Sequence, residues 1–175
     1  MRLRHLLITS LLITPAFARN KNKPAPVVVH LATADGKDAG TVTFRQEKKG
    51  VAVKVDLQNL PMGWHAVHVH AVPKCDAPDF KTAGGHFNPD MKQHGLLNPA
   101  GHHNGDLPES VSVNGGGTGS AKFLVNYLSL DPAAANSIFA NGGTSIIVHE
   151  KKDDMTTDPT GAAGNRIACG VVPKP

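Results

Sequence analysis

The sequence predicts an all-β domain, either a sandwich or a barrel, and three observations support this. Apolar residues recur with period two in several short runs. Glycine and proline, 18 and 13 of them in 175 residues, fall largely between those runs and supply turns. No stretch has the spacing of an amphipathic helix, and Pro132 to Phe139 has room for one short turn at most. Short strands separated by Gly-rich turns form sandwiches or barrels, because each strand must bury one face.

The length suits a single domain with one core. The first residues stand apart from it. Met1 to His5 is basic, Leu6 to Ile13 is mostly apolar, and Ala16-Phe17-Ala18 has the small-residue form of a cleavage site. Residues 1–18 therefore read as a signal peptide cleaved after Ala18, leaving a domain over 19–175 that is exported to the periplasm or secreted. No run approaches the ~20 apolar residues of a spanning helix, so no membrane span is expected. The formal charge of +4 falls by two once Arg2 and Arg4 are set aside. With no basic run interleaved with aromatics, nothing marks a nucleic-acid partner.

Residues 19–25 read as a flexible polar tail. Val27 to Ala32 is β-branched and apolar, while Thr41 to Arg45 and Val51 to Leu57 alternate strictly. Gly36, Gly40 and Gly50 place turns between them, which predicts an antiparallel meander with one buried face. Pro61-Met62-Gly63 precedes another extended run, Trp64 to Val72. A long irregular segment follows to Pro108, and strand character returns at Ser110 to Val113, Ser120 to Tyr127 and Ser145 to His149. A loop that long needs an ordering agent inside a compact domain, and metal ligands with a disulfide can provide one. The two cysteines, Cys75 and Cys169, are most simply one disulfide in an exported protein, with two free thiols as the alternative.

The stretch from His68 to Asp106 carries the chemistry. His68 and His70 are two apart on an extended run, so both imidazoles project from one face and can reach one metal. His65 has the opposite parity and reads as a buried histidine with a hydrogen-bond partner. His149, which ends an apolar run, completes a copper-type set if its strand lies beside that of His68. In the loop, His86, His94, His103 and Asp106 offer three imidazoles and a carboxylate, the donor set of a closed structural zinc. His102 adjoins His103 and reads as its solvent-facing neighbour. A zinc hydrolase would need an open position and an H-E-x-x-H base, which the sequence lacks.

Six stretches together resemble the copper,zinc superoxide dismutases, and in particular the bacterial periplasmic type. They are Gly63 to His70, Gly85 to Pro89, Lys92 to Gly95, His103 to Leu107, Val148 to Lys151 and Gly164 to Gly170, and they occur in the family's order. The resemblance implies an eight-stranded antiparallel Greek-key β-barrel, an immunoglobulin-like sandwich in its packing, with long metal-binding loops. It implies copper on His68, His70, His86 and His149, and zinc on His86, His94, His103 and Asp106. Asp153, with Asp154 as the less favoured alternative, would link a copper histidine to a zinc histidine, Cys75 and Cys169 would pair, and Arg166 would lie over the channel to copper. The implied activity is disproportionation of superoxide to dioxygen and hydrogen peroxide. Copper supplies the one-electron chemistry that zinc lacks, and His86 serves as a proton store. Arg166 suits a small anionic substrate, the alternative being a surface salt bridge. Lys81, Lys92, Lys151 and Lys152 are candidates for steering that anion, although a solvated surface lysine is the preferred reading of each. The resemblance also admits a homodimer. The chain departs from the family pattern at Pro73, where glycine is more usual, and at Ala162, where asparagine or another small polar residue is commoner. The segment between Cys75 and His86 is also longer than in the eukaryotic enzymes.

Overall fold

The structure, a computed structural model, describes residues 24–175. The proposed signal segment and residues 19–23 lie outside the described residues. Nine strands form an antiparallel framework: β1 (Val27–Thr33), β2 (Asp38–Glu47), β3 (Gly50–Leu57), β4 (Gly63–His65), β5 (Val67–His70), β6 (Val111–Val113), β7 (Gly119–Val125), β8 (Ser145–His149) and β9 (Arg166–Val171). Seven of them make one sheet in the order β5-β8-β9-β1-β2-β3-β7, and β4 pairs with β6. Sheet neighbours distant in sequence, β5 with β8, β1 with β9 and β3 with β7, are the Greek-key crossings. The turn at 114–118 joins β6 to β7, and Ala66 joins β4 to β5, so the two ends of the large sheet are connected.

Alternation explains these strands. Along β1, Val29 and Leu31 are buried while Val28 and His30 are exposed; along β3, Val51, Val53, Val55 and Leu57 point inward. With Val42, Phe44, Val69, Val113, Ile146 and Val148 they form the main core.

Two strand expectations need correction. The run Trp64 to Val72 is divided at Ala66, whose N–H bonds to Lys151 O and whose carbonyl accepts from His149 N, and it ends at His70. One extended run thus serves two sheets. The second correction is β9, which the alternation in sequence does not reveal. It lies between β8 and β1, and a Cβ on Gly170 would fall 2.3 Å from His30 O, so close approach there requires glycine. The stretch Pro132 to Phe139 forms turns, followed by a short 3₁₀ segment at Ala140–Gly142.

β5 and β8 are buried on both faces. Val67, Val69, Ile146 and Val148 enter the barrel core, while the other face carries His68, His70 and His149 under the long connections. β5 is also the last strand of its sheet, and the 71–110 connection seals that edge. Val69 N donates to Gly105 O at 2.9 Å, Phe87 N to Val69 O at 2.8 Å and Ala71 N to Gly85 O at 2.9 Å. Gly105 permits this contact, since a Cβ there would lie 2.1 Å from Val69 O. The loop is therefore paired backbone, which sets His86 opposite His70 and Asp106 opposite His68.

Candidate metal centre

Each functional side chain is placed by this edge pairing and by one β-bulge. β5 presents His68 and His70, and β8 lies against it in the register His68–Ile147. The pairing of β8 with β9 shifts at Val148/His149, so His149 stands opposite Arg166 and Ile167 is passed over. A bulge at this point re-aims both side chains toward one cleft.

Two buried groups result, and they share one residue. His68, His70, His86 and His149 converge, as do His86, His94, His103 and Asp106, with all ligand atoms of each group within 4.8 Å of one another. In the first group the hydrogen bonds show which nitrogen each ring keeps free. His68 Nε2 bonds to Asp153 Oδ2 at 2.7 Å and His70 Nδ1 to Gly84 O at 2.9 Å. His149 Nδ1 faces Gly164 O at 3.4 Å. His68 Nδ1 and His86 Nε2 are buried with no hydrogen-bond partner, and His70 Nε2 and His149 Nε2 lie 3.4 Å apart. Buried polar atoms left without a partner are costly, and a cation at their common focus satisfies all four.

The second group gives a quantitative test. A tetrahedron with bonds of about 2.0–2.1 Å has edges of roughly 3.3 Å. Here His86 Nδ1 lies 3.3 Å from His94 Nδ1 and 3.2 Å from His103 Nδ1. Asp106 Oδ1 lies 2.9, 3.1 and 3.3 Å from the Nδ1 atoms of His86, His94 and His103. Three imidazole nitrogens and a carboxylate oxygen at this spacing fit a tetrahedral zinc. The other oxygen, Asp106 Oδ2, accepts the N–H groups of Gly95 and His103 at 2.9 and 3.0 Å, which fixes the carboxylate's orientation. Tyr127 Oη donates to the Asp106 carbonyl at 2.9 Å.

Burial first, and then mutual proximity, hold His70 and His149 well below the usual histidine range. The same causes bring His86 down to about 3, against the pull of Asp106. These rings are neutral at physiological pH and offer lone pairs. Burial also opposes a charge on His94, but hydrogen bonds to Asp106 and Asp153 outweigh it and raise the group to about 9. Burial would raise Asp106, yet its bonds from His103, His86 and His94 hold it far below the carboxylate range. Asp153 is likewise depressed, burial being overcome by its bonds to His68 and His94. It joins the two groups directly, with Oδ2 on His68 and Oδ1 3.0 Å from His94 Nε2.

A cleft of about 700 Å³ opens over the first group and is lined by His70, His86, His149 and Arg166 among others. Arg166 donates from Nη1 to Phe80 O and from Nη2 to Gly84 O, both at 2.7 Å. Phe80 adopts the left-handed region at φ 53° and packs with Ile147 and Cys169. The Cys75–Cys169 disulfide adjoins this cluster, so it also steadies the carbonyls that hold Arg166.

Other expectations fare differently. His65 is buried, with Nδ1 and Nε2 each 2.8 Å from a carbonyl, those of His149 and Pro61. His102 is not simply solvent-facing: it is half-buried, its ring 4.1 Å from that of Tyr127. Of the four candidate steering lysines only Lys81 lines the cleft, and Asp79 pairs with it at 2.7 Å. Lys152 lies over the Trp64 ring instead. Sequence reasoning missed Asp158, whose Oδ1 accepts His94 N–H at 2.6 Å. It also missed Gly161, where a Cβ would fall 2.0 Å from Asp153 Oδ1. Asp158 lies far from His94 along the chain, and only the preceding Thr-Thr and the following Pro-Thr-Gly hint at an ordered turn there.

Comparison with known proteins places this geometry. A family model described as copper/zinc superoxide dismutase matches residues 38–172. The copper-zinc superoxide dismutase 1 of Aquifex aeolicus (strain VF5) is 44% identical over 138 residues, 78% of this chain and 81% of that one. The crystal structure of a superoxide dismutase-like protein from Bacillus subtilis superposes with a TM-score of 0.78 at 34% identity, covering 83% of this chain and 97% of that chain. The Cu/Zn superoxide dismutase from Brucella abortus gives 0.67 at 30% identity, covering 85% and 100%.

Proposed function

The chain belongs to the copper/zinc superoxide dismutase family, and we propose that His68, His70, His86 and His149 hold its copper while His86, His94, His103 and Asp106 hold its zinc. The family's reaction disproportionates superoxide to dioxygen and hydrogen peroxide, and copper and zinc are its cofactors. The observation that carries the assignment is His86, which belongs to both groups. Its Nδ1 sits among the tetrahedral donors while its buried Nε2 has no partner on the other side.

Copper, when bound, supplies the one-electron chemistry that zinc cannot. The chain's own residues do the rest. Asp153 accepts the outer protons of His68 and His94, so both rings turn Nδ1 toward their metals. Arg166, anchored on two carbonyls, keeps a permanent positive charge at the cleft and draws in and orients the anionic substrate. His86 holds a proton on Nε2 whenever that atom is free, and gives it up as hydrogen peroxide forms. The closed carboxylate-histidine group stiffens the loop and fixes the plane of His86.

The intramolecular disulfide fits an exported protein. The finer reading is periplasmic delivery or secretion after cleavage near Ala18, as a monomer or a homodimer.

Metal analysis and a superoxide-consumption assay on the purified protein test the assignment. One copper and one zinc per chain with rapid turnover are expected, and a fully loaded protein that leaves superoxide decay unchanged would overturn it. Arg166→Ala should lower the second-order rate about 10-fold and weaken its salt dependence with copper still bound. An unchanged rate at low salt would remove Arg166 from its role.

A further inference from the structure

We propose that Asp158 is a positioning residue for the zinc, pinning the cleft-wall loop to both His94 and His103. This rests on the ligand assignment above. Metal-bound histidines hold their orientation by donating the outer ring N–H to a carboxylate or carbonyl. That accounting closes for His68 and His94 on Asp153, for His70 on Gly84 O and, at 3.4 Å, for His149 on Gly164 O. His103 is left, and the carboxylate facing its outer nitrogen is Asp158, Oδ1 lying 3.8 Å from Nε2. The separation is too long for a hydrogen bond but leaves the carboxylate within electrostatic reach of a ring that a bound cation would polarise. The same oxygen accepts the backbone N–H of His94 at 2.6 Å. One atom thus addresses two zinc ligands that are nine residues apart in the chain.

Its neighbours are engaged elsewhere. Asp154, on the same loop, spends its carboxylate on the N–H groups of Thr156 and Thr157 and on the Thr157 hydroxyl. Gly161 N donates to Thr157 O at 2.7 Å and Asp154 N to Gly161 O at 3.0 Å, so the segment folds back on itself. It thereby sets Asp153 on the inner side of the zinc ligands and Asp158 on the outer side. Pro159, Thr160, Gly164 and Asn165, all just beyond Asp158, line the cleft. Zinc retention and the shape of the cleft wall are therefore coupled through this one side chain, a link separate from Asp153.

The test is zinc transfer to a chromophoric chelator from the copper- and zinc-loaded protein, comparing wild type with Asp158→Asn, Asp158→Ala and Asp106→Ala. Asp158→Ala should weaken zinc binding by about 10–100-fold while leaving copper retention unchanged. Asp158→Asn should fall between, because an amide oxygen still accepts from His94 N–H but brings no charge to His103. The unfolding midpoint of the metal-free protein should not move in Asp158→Asn. Unchanged zinc affinity in both variants would overturn the proposal, and so would an equal loss of stability in the metal-free form, which would make Asp158 mere scaffold. If Asp106→Ala keeps its zinc, the ligand assignment itself fails, a result distinct from the other two.

Discussion

Three of the four histidines in the proposed copper group stand on strands, His68 and His70 on β5 and His149 on β8. The proposed zinc group comes entirely from the 71–110 connection, as does the shared His86. Strand ligands are placed by a hydrogen-bonded ladder and by core residues such as Val69 and Val148 on the opposite face. Loop ligands depend on the edge pairing with β5, on the Cys75–Cys169 link and on carboxylates reaching in from residues 153 and 158. A redox metal gains from the rigid half, because its ligands must hold their geometry in two oxidation states. A structural metal suits the half that would otherwise lack order.

The largest expected effect breaks the strand half without disturbing the loop half. His70→Ala should remove copper and lower dismutation by more than about 10⁴-fold, with zinc content unchanged on metal analysis. Equal loss of both metals would show that the halves are not separable. Next comes the link itself. Replacing Cys75 and Cys169 by serine opens a separation of 94 residues and should cost about 4–5 kcal/mol of unfolding free energy in the chain-entropy model. Hydrogen exchange should show the amides of Phe80 and Gly84 losing more protection than that of Val69.

A third test contrasts the halves by pH in the metal-free protein. His86, lowered to about 3, and the depressed His70 and His149 contribute stability above pH 6.5 that is lost as pH falls toward their folded values, because the unfolded chain takes up the protons. His94, raised to about 9, contributes stability below pH 6.5 that is lost as pH rises through 9. Thermal unfolding should therefore peak near pH 6.5, with an alkaline limb on the order of 3 kcal/mol. Loading zinc should flatten that limb by removing the proton from His94. The smallest effect lies in the cleft-wall loop, where exposed Ala162 holds φ at 50°. Ala162→Gly should stabilise the protein by roughly 1 kcal/mol in denaturant unfolding.

Much of this was legible from spacing. The i, i+2 pair His68 and His70, the opposite parity of His65 and the donor set of the loop follow from strand period and ligand chemistry. β9 was not legible, since Ala168, Cys169 and Gly170 lack a strand's alternation and are extended because β8 and β1 flank them. Which candidate lysine reaches the cleft was not legible for a related reason: Lys81 lines it beside its near neighbour Asp79, while Lys152 is turned onto the ring of Trp64, far back in the chain.

The sequence by itself determined which residues could ligate, since imidazole and carboxylate chemistry belong to the residue types and strand parity is a local property. Only the tertiary structure decided that they meet. His149 and Arg166 reach His68 and His70 through sheet order and a bulge, and His86 reaches both metal groups because the loop pairs with the open edge of β5. Asp153 and Asp158 come to the histidines from a loop more than fifty residues further on. Such contacts are set by backbone hydrogen bonding between remote segments, and no local pattern in the sequence records them.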